Sequence, residues 1–379
     1  MDSPRSLDPP GGERGCGFHP FELAFSGFSG SGKTTLLEQV VRRLAGKYRL
    51  GYLKHDARGF EMDHPGKDTW RLREAGADLV RITSPAAHAL VSRLEMGIGE
   101  QLSHFQACDC VLVEGYKNSA LPKVAVLDRE GRLEQAIQAG EITNVVAYAH
   151  PDRDPGTLGA LPRFHRDDIE AAVAFVDAFF TQRAQATPLY GLILAGGESR
   201  RMGGDKALLA YHGCSQVEYV ASLLSPICTA TYLSRRPDQA QISTGHTELP
   251  VLLDTFLDMG PLGGVLSALR AFPQAAWLVV ACDLPWLDGA SLQALLAARN
   301  PFRQATAFLQ SDGAPEPLCT IYEPRIYRAA LGRLGEGRTS LRGLLHPDVS
   351  ILLEPPRPEA LQSLDTPQEF NRYASGGEF

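Results

Sequence analysis

The stretch ELAFSGFSGSGKTTLLEQVV, residues 22–41, decides the fold of the first part of the chain. Its apolar run at 22–27 predicts a buried strand, and apolar residues at helical spacing predict a helix over 33–46. Between them, GFSGSGKT (27–34) fits G-x-x-x-x-G-K-[ST] at every fixed position, in the strand–loop–helix context of a phosphate-binding loop. The residues predicted to bind nucleotide here are Gly27, Gly30, Ser31, Gly32, Lys33, Thr34 and Thr35.

The chemistry of such a loop assigns individual roles. Lys33 is expected to reach the β- and γ-phosphates, and the Thr34 hydroxyl to hold Mg²⁺. A second acid is needed near the metal, and Glu114 at the end of the apolar run VLVEG is the main candidate, with Asp56 a weaker one. The alternative for Glu114 is an ordinary surface residue at a strand end. The guanine-reading tetrapeptide N-K-x-D is absent from the sequence, so this half does not reveal which base is bound.

A second glycine-rich stretch, LAGGESRRMGGDKALL at 194–209, has a different design. It lacks the G-K-[ST] ending, so it is not a second phosphate-binding loop of the same kind. Adjacent glycines at a strand end let the backbone lie flat against a nucleotide, where a Cβ would clash. Basic residues then follow on a loop that can fold over a triphosphate, with Lys206 suited to neutralise charge at the α-phosphate. The predicted binding residues are Leu194, Ala195, Gly196, Gly197 and Lys206, with Arg200 and Arg201 as further cations.

Carboxylates at the ends of later strands complete this second site. Asp283 ends the apolar run AWLVVACD (276–283) and is predicted to hold Mg²⁺ as a catalytic residue together with Arg201 and Lys206. Asp254 ends VLLD (251–254), just before the glycine loop GPLGG (260–264), and can accept hydrogen bonds from guanine or from ribose. The alternative in each case is a residue that only shapes a turn.

Strands and helices alternate along the whole chain, which predicts two α/β domains. We expect a P-loop NTPase-type sheet and a Rossmann-like nucleotidyltransferase sheet, both mostly parallel with helices on both faces. The expected boundaries are a disordered tail at 1–20, a P-loop domain at 21–183, a linker at 184–189 and a nucleotidyltransferase domain at 190–375. Asp167 is the expected N-cap of a long helix over 167–183.

Composition narrows the class of protein. The chain has 379 residues and a net charge of −7, which argues against bulk electrostatic binding to nucleic acid. Its 7 cysteines are scattered without a C-x-x-C, a pattern that suits a reducing compartment, and Cys108 and Cys110 supply only half of a zinc site. Neither a signal peptide nor an apolar run long enough to span a membrane is evident, so we expect a cytoplasmic protein.

The first half resembles a known family. The segments GFSGSGKTTLLEQVV, KHD, PGKDTWRLREAGA, VLVEGYK and PKVAV occur in the order found in the MobB-like molybdopterin-guanine dinucleotide biosynthesis adaptors, over roughly 20–180. The resemblance implies a GTP-binding module and leaves open whether the module has a weak GTPase activity. One departure is Ala57-Arg58-Gly59, which stands where members of the family often carry a further histidine after KHD.

The second half resembles the MobA-like molybdenum cofactor guanylyltransferases, over roughly 188–375. The resemblance rests on LAGG-x-S-x-R-M-G-x-D-K, GPLGG, CDLP and a late L-D-T-P segment, again in order. It implies contacts to GTP from residues 194–197, Lys206 and Asp254, with Mg²⁺ on Asp283. Ser234 and Asp365 stand where the family often has asparagine, so the contacts of those two positions stay open.

Together the resemblances imply transfer of GMP from GTP to Mo-molybdopterin, with Mg²⁺ as cofactor and pyrophosphate as the second product. The implied partners are molybdopterin-synthesis proteins and molybdoenzyme acceptors or their chaperones, without nucleic acid or membrane. Three alternatives stay open: a cytidylyltransferase of the same family, a sugar-phosphate nucleotidyltransferase joined to a small kinase, and a non-catalytic carrier of molybdopterin or nucleotide.

Overall fold

The structure is a computed structural model that describes residues 19–56, 59–94, 103–151, 158–195, 212–239 and 249–364. The chain divides into two compact units, Met1–Thr181 and Gln182–Phe379. Each unit contains a sheet in which most neighbouring strands run parallel, which confirms the predicted pair of α/β domains.

The first unit alternates strands with helices. Its strands are β1 (Glu22–Ser26), β2 (Leu50–Lys54), β3 (Leu79–Thr83), β4 (His88–Ser92), β5 (Cys110–Glu114), β6 (Lys123–Val126), β7 (Val145–His150) and β8 (Arg163–His165). Its helices are α1 (Lys33–Leu44), α2 (Asp68–Glu74), α3 (Arg132–Gln138) and α4 (Ile169–Gln185), of which α4 continues past Thr181, where the first unit ends. Among the described residues, six strands form a parallel sheet in the order β2-β5-β1-β6-β7-β8, and β3 pairs with β4 in a separate antiparallel hairpin.

The position of β1 in the middle of this sheet follows from its composition. All residues of β1, β5 and β6 are buried, as expected for strands covered on both faces. The apolar face of α1, with Leu36, Leu37 and Val40, is buried as well. The loop between β1 and α1 is therefore held between a central strand and a packed helix.

The first turn of α4 differs from the sequence prediction. Asp168, not Asp167, caps this helix, because its carboxylate accepts a hydrogen bond from the Ala171 amide at 3.0 Å. Both aspartates precede an apolar helical pattern, so spacing alone did not separate them. Residues 186–188 join α4 to the first strand of the second unit.

The second unit has seven strands among its described residues. These are β9 (Leu189–Leu194), β10 (Ala230–Arg235), β11 (Val251–Leu253), β12 (Ala276–Ala281), β13 (Ala305–Leu309), β14 (Pro315–Tyr322) and β15 (Ser350–Leu353). The helices are α5 (Gln216–Leu224), α6 (Pro261–Ala271), α7 (Gly289–Ala297) and α8 (Ile326–Gly335). The strand order is β11-β10-β9-β12-β14-β13-β15, and β14 runs antiparallel to both of its neighbours.

The strand order of the second sheet reverses direction beside β9. The chain passes from β9 outward through β10 and β11, and then returns to place β12 on the other side of β9. Loops that leave two such strands in opposite directions open a crevice at their carboxyl ends, where ligands of open α/β sheets bind. Residues that follow β9 and β12 are thereby brought to one place. Among the described residues, no helix combines the length and the apolar character needed to cross a membrane.

Candidate nucleotide-binding sites

The loop between β1 and α1 has the backbone geometry that phosphate binding requires. Gly30 and Gly32 have φ angles of 81° and 91°, in the left-handed region that favours glycine. At Gly27 a Cβ would lie 2.4 Å from the carbonyl oxygen of Val126, so only glycine fits there. The loop ends at the positive pole of α1, where backbone N–H groups favour an anion.

Lys33 lies inside this loop. Its ammonium donates a hydrogen bond to the Phe28 carbonyl at 2.8 Å and lies 3.5 Å from the Ser31 hydroxyl. Burial lowers the pKa of Lys33, while the negative charge of Glu114 acts in the opposite direction. A half-buried ammonium whose hydrogen bonds go only to neutral groups forms a stronger, charge-assisted hydrogen bond with an anion. We therefore expect a phosphate to bind to Lys33.

Glu114 gathers three side chains around its carboxylate. The Thr34 hydroxyl donates to one oxygen at 2.9 Å, the Tyr52 hydroxyl donates to the other at 2.6 Å, and the Lys54 ammonium lies 3.9 Å away. Strand register explains the meeting, because Glu114 of β5 is paired with Phe25 of β1 and with Lys54 of β2. The structure thus joins the two residues predicted to hold Mg²⁺, and hard oxygen atoms of this kind fit that ion.

Tyr52 and Lys54 were not predicted from the sequence. Both lie on β2, and alternate residues of a strand point to the same face, so the spacing of two was the available signal. Burial and the neighbouring Glu114 raise the pKa of Tyr52, which keeps its hydroxyl protonated and donating. Asp56 lies just beyond the end of β2, and its role stays a prediction.

The basic residues at the start of α2 have different surroundings from those near the phosphate loop. Lys67 and Arg71 are both exposed, and Arg71 pairs with Asp68 at 4.0 Å. Closer to the loop, the Lys117 ammonium and the Arg132 guanidinium lie 4.7 Å and 4.9 Å from the centre of the Phe28 ring. The second pair places positive charge beside the loop through cation–π contacts, a feature that sequence reasoning missed.

In the second unit, β9 and β12 bring Leu194 and Asp283 to the same edge of the sheet. Leu194 is paired with Ala281, and the Cys282 amide donates to the Leu194 carbonyl at 3.3 Å. Asp283 lies in the turn that follows β12, rather than in the strand as predicted, and buried Ala195 follows β9 directly. Five predicted residues lie outside the described residues: Gly196, Gly197, Arg200, Arg201 and Lys206.

Asp254 is half-buried and lies near Leu194. The Ser234 hydroxyl donates to its carboxylate at 2.7 Å, so this serine reaches the predicted site although it is shorter than asparagine. Burial raises the pKa of Asp254, against the lowering effects of the Ser234 hydrogen bond and the Arg236 charge. Asp365, the other departure from the family pattern, lies outside the described residues.

Glu316 of β14 is a further carboxylate near Asp283 that the sequence did not reveal. Its carboxylate accepts hydrogen bonds from the Leu318 amide at 2.7 Å and from the Gln310 side chain. Burial raises the pKa of Glu316, and the negative charge of Asp283 raises it further, so the two carboxylates are electrostatically coupled. A cation at Asp283 would relieve this repulsion, and in that sense the residues present fit Mg²⁺.

The side chains around Asp283 limit the kind of metal ion that could bind there. Within the described ranges, no group of three or more His, Cys, Asp or Glu side chains is arranged to hold an ion. Mg²⁺ typically uses one or two carboxylates together with phosphate oxygens and water. Asp283, with Glu316 nearby, would therefore fit an ion that arrives with a nucleotide.

A cavity of about 550 Å³ borders the same turn. The Leu364 amide donates to the Asp283 carbonyl at 3.1 Å and lies at the cavity wall. The wall also includes Trp286, Gln310, Asp312 and Glu354. A pocket of this size, with an aromatic ring and carboxylates in its wall, can hold a heterocycle.

A substitution at Gly264 tests whether the surroundings of Asp254 receive the nucleotide. A Cβ at this position of α6 would lie 2.6 Å from the Ser234 hydroxyl oxygen and 2.8 Å from a Leu194 methyl carbon. We expect Gly264→Ala to displace the Ser234 hydroxyl from Asp254, to cost about 1–3 kcal/mol in the free energy of unfolding, and to weaken GTP binding by the second unit about tenfold. Chemical denaturation and equilibrium GTP binding measure the two effects.

Gly332 of α8 supplies the matched control, because a Cβ there would meet nothing within 4 Å. Gly332→Ala should leave GTP binding unchanged and should not destabilise the unit. Equal GTP affinity in Gly264→Ala and the native chain would show that the surroundings of Asp254 do not receive the nucleotide.

Two family models match the chain, one in each unit. The model for molybdopterin guanine dinucleotide synthesis protein B matches residues 22–150, and the model for the MobA-like NTP transferase domain matches residues 191–351. The chain is also similar to the molybdenum cofactor biosynthesis bifunctional protein of Synechocystis sp., with 43% identity over 139 residues. That match spans 36% of this chain and only 40% of the length of the Synechocystis protein.

Other relatives match one half of the chain and are covered almost completely. A probable molybdopterin-guanine dinucleotide biosynthesis adapter protein of Bacillus subtilis is 36% identical over 40% of this chain and 87% of its own length. A molybdenum cofactor guanylyltransferase of Cereibacter sphaeroides is 34% identical over 49% of this chain and 96% of its own length.

Proposed function

Because the chain belongs through its first half to the molybdopterin-guanine dinucleotide biosynthesis adapter family, and through its second half to the molybdenum cofactor guanylyltransferase family, we propose that it makes the guanine dinucleotide form of the molybdenum cofactor. The second unit transfers GMP from GTP to Mo-molybdopterin and releases pyrophosphate. The first unit binds GTP and assists the supply or delivery of cofactor.

The observation that carries the proposal for the second unit is that Leu194 lies close to the Asp283 turn and also to the Asp254 carboxylate. The carboxyl ends of β9 and β12 bring Leu194 beside the Asp283 turn, and Asp254 lies on the other side of Leu194 near Gly264. We propose that Asp254 contacts the base and that Asp283 serves the triphosphate. This arrangement supports a nucleotide that lies across the strand order reversal.

The reaction needs positioning more than proton transfer. A phosphate oxygen of molybdopterin attacks the α-phosphorus of GTP, the new P–O bond forms, and the bond from that phosphorus to the bridging oxygen of pyrophosphate breaks. The attacking phosphate is already ionised near neutral pH, so a strong general base is not required. Arg201 and Lys206 neutralise the charge that develops on the phosphates. Asp283 would hold Mg²⁺, which supplies charge neutralisation of the leaving pyrophosphate when bound.

Asp254 favours guanine over cytosine as the base. A carboxylate is an acceptor only, and guanine offers it two adjacent donors, the N1–H and the N2 amino group. Cytosine offers one amino group beside the acceptor atom N3, which a carboxylate repels. The Ser234 hydroxyl, which donates to Asp254, holds the carboxylate in place without cancelling its charge.

The cavity beside Asp283 is our proposed site for the pterin. Its ring system carries amide and amino donors like those of guanine, and Asp312 and Glu354 of the cavity wall offer carboxylate acceptors. Trp286 offers an aromatic face for stacking. A pterin in this cavity would direct its phosphate toward the turn that contains Asp283.

In the first unit, the phosphate loop with Lys33, and Thr34 with Glu114, support binding of a nucleotide with Mg²⁺. Covalent linkage keeps this unit at high effective concentration beside the transferase. We propose molybdopterin-synthesis proteins and molybdoenzymes or their chaperones as partners, and the cytoplasm as the location.

Nucleotide choice tests the proposal. The purified chain is incubated with Mg²⁺, Mo-molybdopterin and GTP, CTP or ATP in turn, while pyrophosphate release and the mass of the dinucleotide product are followed. We expect product with GTP at a rate at least about tenfold above that with CTP or ATP, in line with a specificity step of about 1.4 kcal/mol or more.

Product with CTP would keep the reaction but make the chain a cytidylyltransferase. Nucleotide binding without any product would favour a non-catalytic carrier. A product formed only with a sugar phosphate in place of molybdopterin would favour the sugar nucleotidyltransferase alternative.

A further inference from the structure

The first unit binds nucleotide without the N-K-x-D tetrapeptide, so its base must be recognised by other residues. The inference that follows rests on the proposed nucleotide binding at the phosphate loop. One side of that loop is already assigned: Thr34, Glu114 and Tyr52 gather over β5 and β2, where the metal and the terminal phosphate belong. The nucleoside must therefore extend over the opposite side of the sheet, across the carboxyl ends of β6, β7 and β8.

The residue that follows β8 returns to the phosphate loop. Arg166 donates a hydrogen bond from its guanidinium to the Ser31 carbonyl at 3.2 Å. Its side chain also passes close to Gly32, where a Cβ would lie 2.9 Å from the Arg166 Cδ. The main chain is equally fixed, because the Arg166 amide donates to the His150 carbonyl at 2.7 Å. A flat cation is thus held beside the loop on the side where the nucleoside must lie.

Asp167 supplies the acceptor next to this cation. Because Asp168 takes the helix cap, the Asp167 carboxylate is not used to cap α4 and is 70% exposed. It lies 3.4 Å from the Arg166 Nε atom, and its amide donates to the His165 ring at 3.2 Å. The short segment between β8 and α4 therefore carries an arginine and an aspartate that are oriented by local hydrogen bonds.

We propose that Arg166 and Asp167 form the base-recognition element of the first unit, and that the base is guanine. The guanidinium plane of Arg166 stacks on the purine, an interaction that suits arginine and any purine. The Asp167 carboxylate accepts from the guanine N1–H and N2 amino groups. Adenine presents an acceptor at N1, which this carboxylate repels, so Asp167 sets the preference for GTP over ATP.

The test replaces one hydrogen-bond acceptor of residue 167 by a donor. Asp167→Asn replaces one carboxylate oxygen by an amino group, which matches xanthine, where an oxygen stands in place of the guanine N2 amino group. Binding of GTP, ATP and XTP to the full chain is measured by calorimetry, and the part of the binding that Lys33→Ala removes defines the first site. We expect Asp167→Asn to weaken GTP at that site at least tenfold and to strengthen XTP by a similar factor.

Two further variants sharpen the result. Arg166→Ala alone should weaken GTP binding about tenfold. The same change in a chain that also carries Asp167→Asn should weaken XTP binding by the same factor, because stacking on a purine does not depend on which groups stand at its hydrogen-bonding edge. Glu170→Gln, which changes an exposed carboxylate one turn away that pairs with Arg43, should change neither nucleotide. The gain of XTP binding separates altered recognition from misfolding.

Two results would overturn the assignment of the base: an unchanged preference for GTP in Asp167→Asn, or equal affinity for GTP and ATP in the native chain. Neither result would contradict nucleotide binding by the loop. Absence of any Lys33-dependent binding in the native chain would instead remove the proposed function of the first unit, and the inference with it.

Discussion

Asp283→Asn is expected to lower kcat for nucleotidyl transfer at least about 1000-fold, the scale found when a group that stabilises developing charge is removed. The substitution keeps the size of the side chain and its place in the turn after β12, and it removes the negative charge at the crevice. Because Glu316 is coupled to this charge, loss of it should also allow Glu316 to ionise more readily. Steady-state kinetics with GTP and Mo-molybdopterin measure the effect.

The matched control for this prediction is Asp348→Asn, which changes an exposed aspartate of the same unit that pairs with His346 at 3.1 Å. That variant should retain full activity. A second readout separates chemistry from folding: Asp283→Asn should keep the unfolding midpoint of the native chain within a few degrees. A variant that folds normally and transfers GMP at the native rate would show that the essential carboxylate lies elsewhere.

Much of the fold could be predicted because it depends on local pattern. The run from β1 through the phosphate loop to α1 combines an apolar strand, a fixed glycine spacing and a helical apolar face, and all three persist in the structure. β14 could not be predicted, because Pro315 and Pro317 in PEPLCTIY argue against a strand by local rules. Its antiparallel pairing with β12 and β13 supplies the stability that its own sequence does not indicate.

The site residues also differ in whether a local pattern in the sequence could predict them. Gly27, Lys33 and Thr34 belong to one short segment, so their spacing alone indicates what they do together. Glu316 reaches the neighbourhood of Asp283 only because β14 lies beside β12, a long-range arrangement that no local pattern encodes. Arg166 is likewise distant in sequence from Ser31, and only the folded sheet brings the two together.

Lys33→Ala is expected to weaken GTP binding by the first unit at least about 30-fold, since truncating one partner of a partly buried charge pair costs about 2–5 kcal/mol. The Lys33 ammonium is the charged group inside the loop, and its present partners, the Phe28 carbonyl and the Ser31 hydroxyl, are neutral. Phosphate would therefore lose its main counter-charge, while the glycine geometry of the loop would stay as it is. Titration with GTP in the presence of Mg²⁺ measures the loss.

Lys47→Ala is the control for this prediction, because Lys47 follows the same helix but pairs with Asp177 at 2.6 Å on the surface. Its loss should leave GTP binding unchanged.

We also expect the two units to act separately. Lys33→Ala should leave transfer of GMP to free Mo-molybdopterin at the native rate, because that reaction uses the crevice of the second sheet. If transfer falls together with GTP binding at the loop, the phosphate loop is part of the transfer step itself, and the adapter role would have to be replaced by a direct catalytic one.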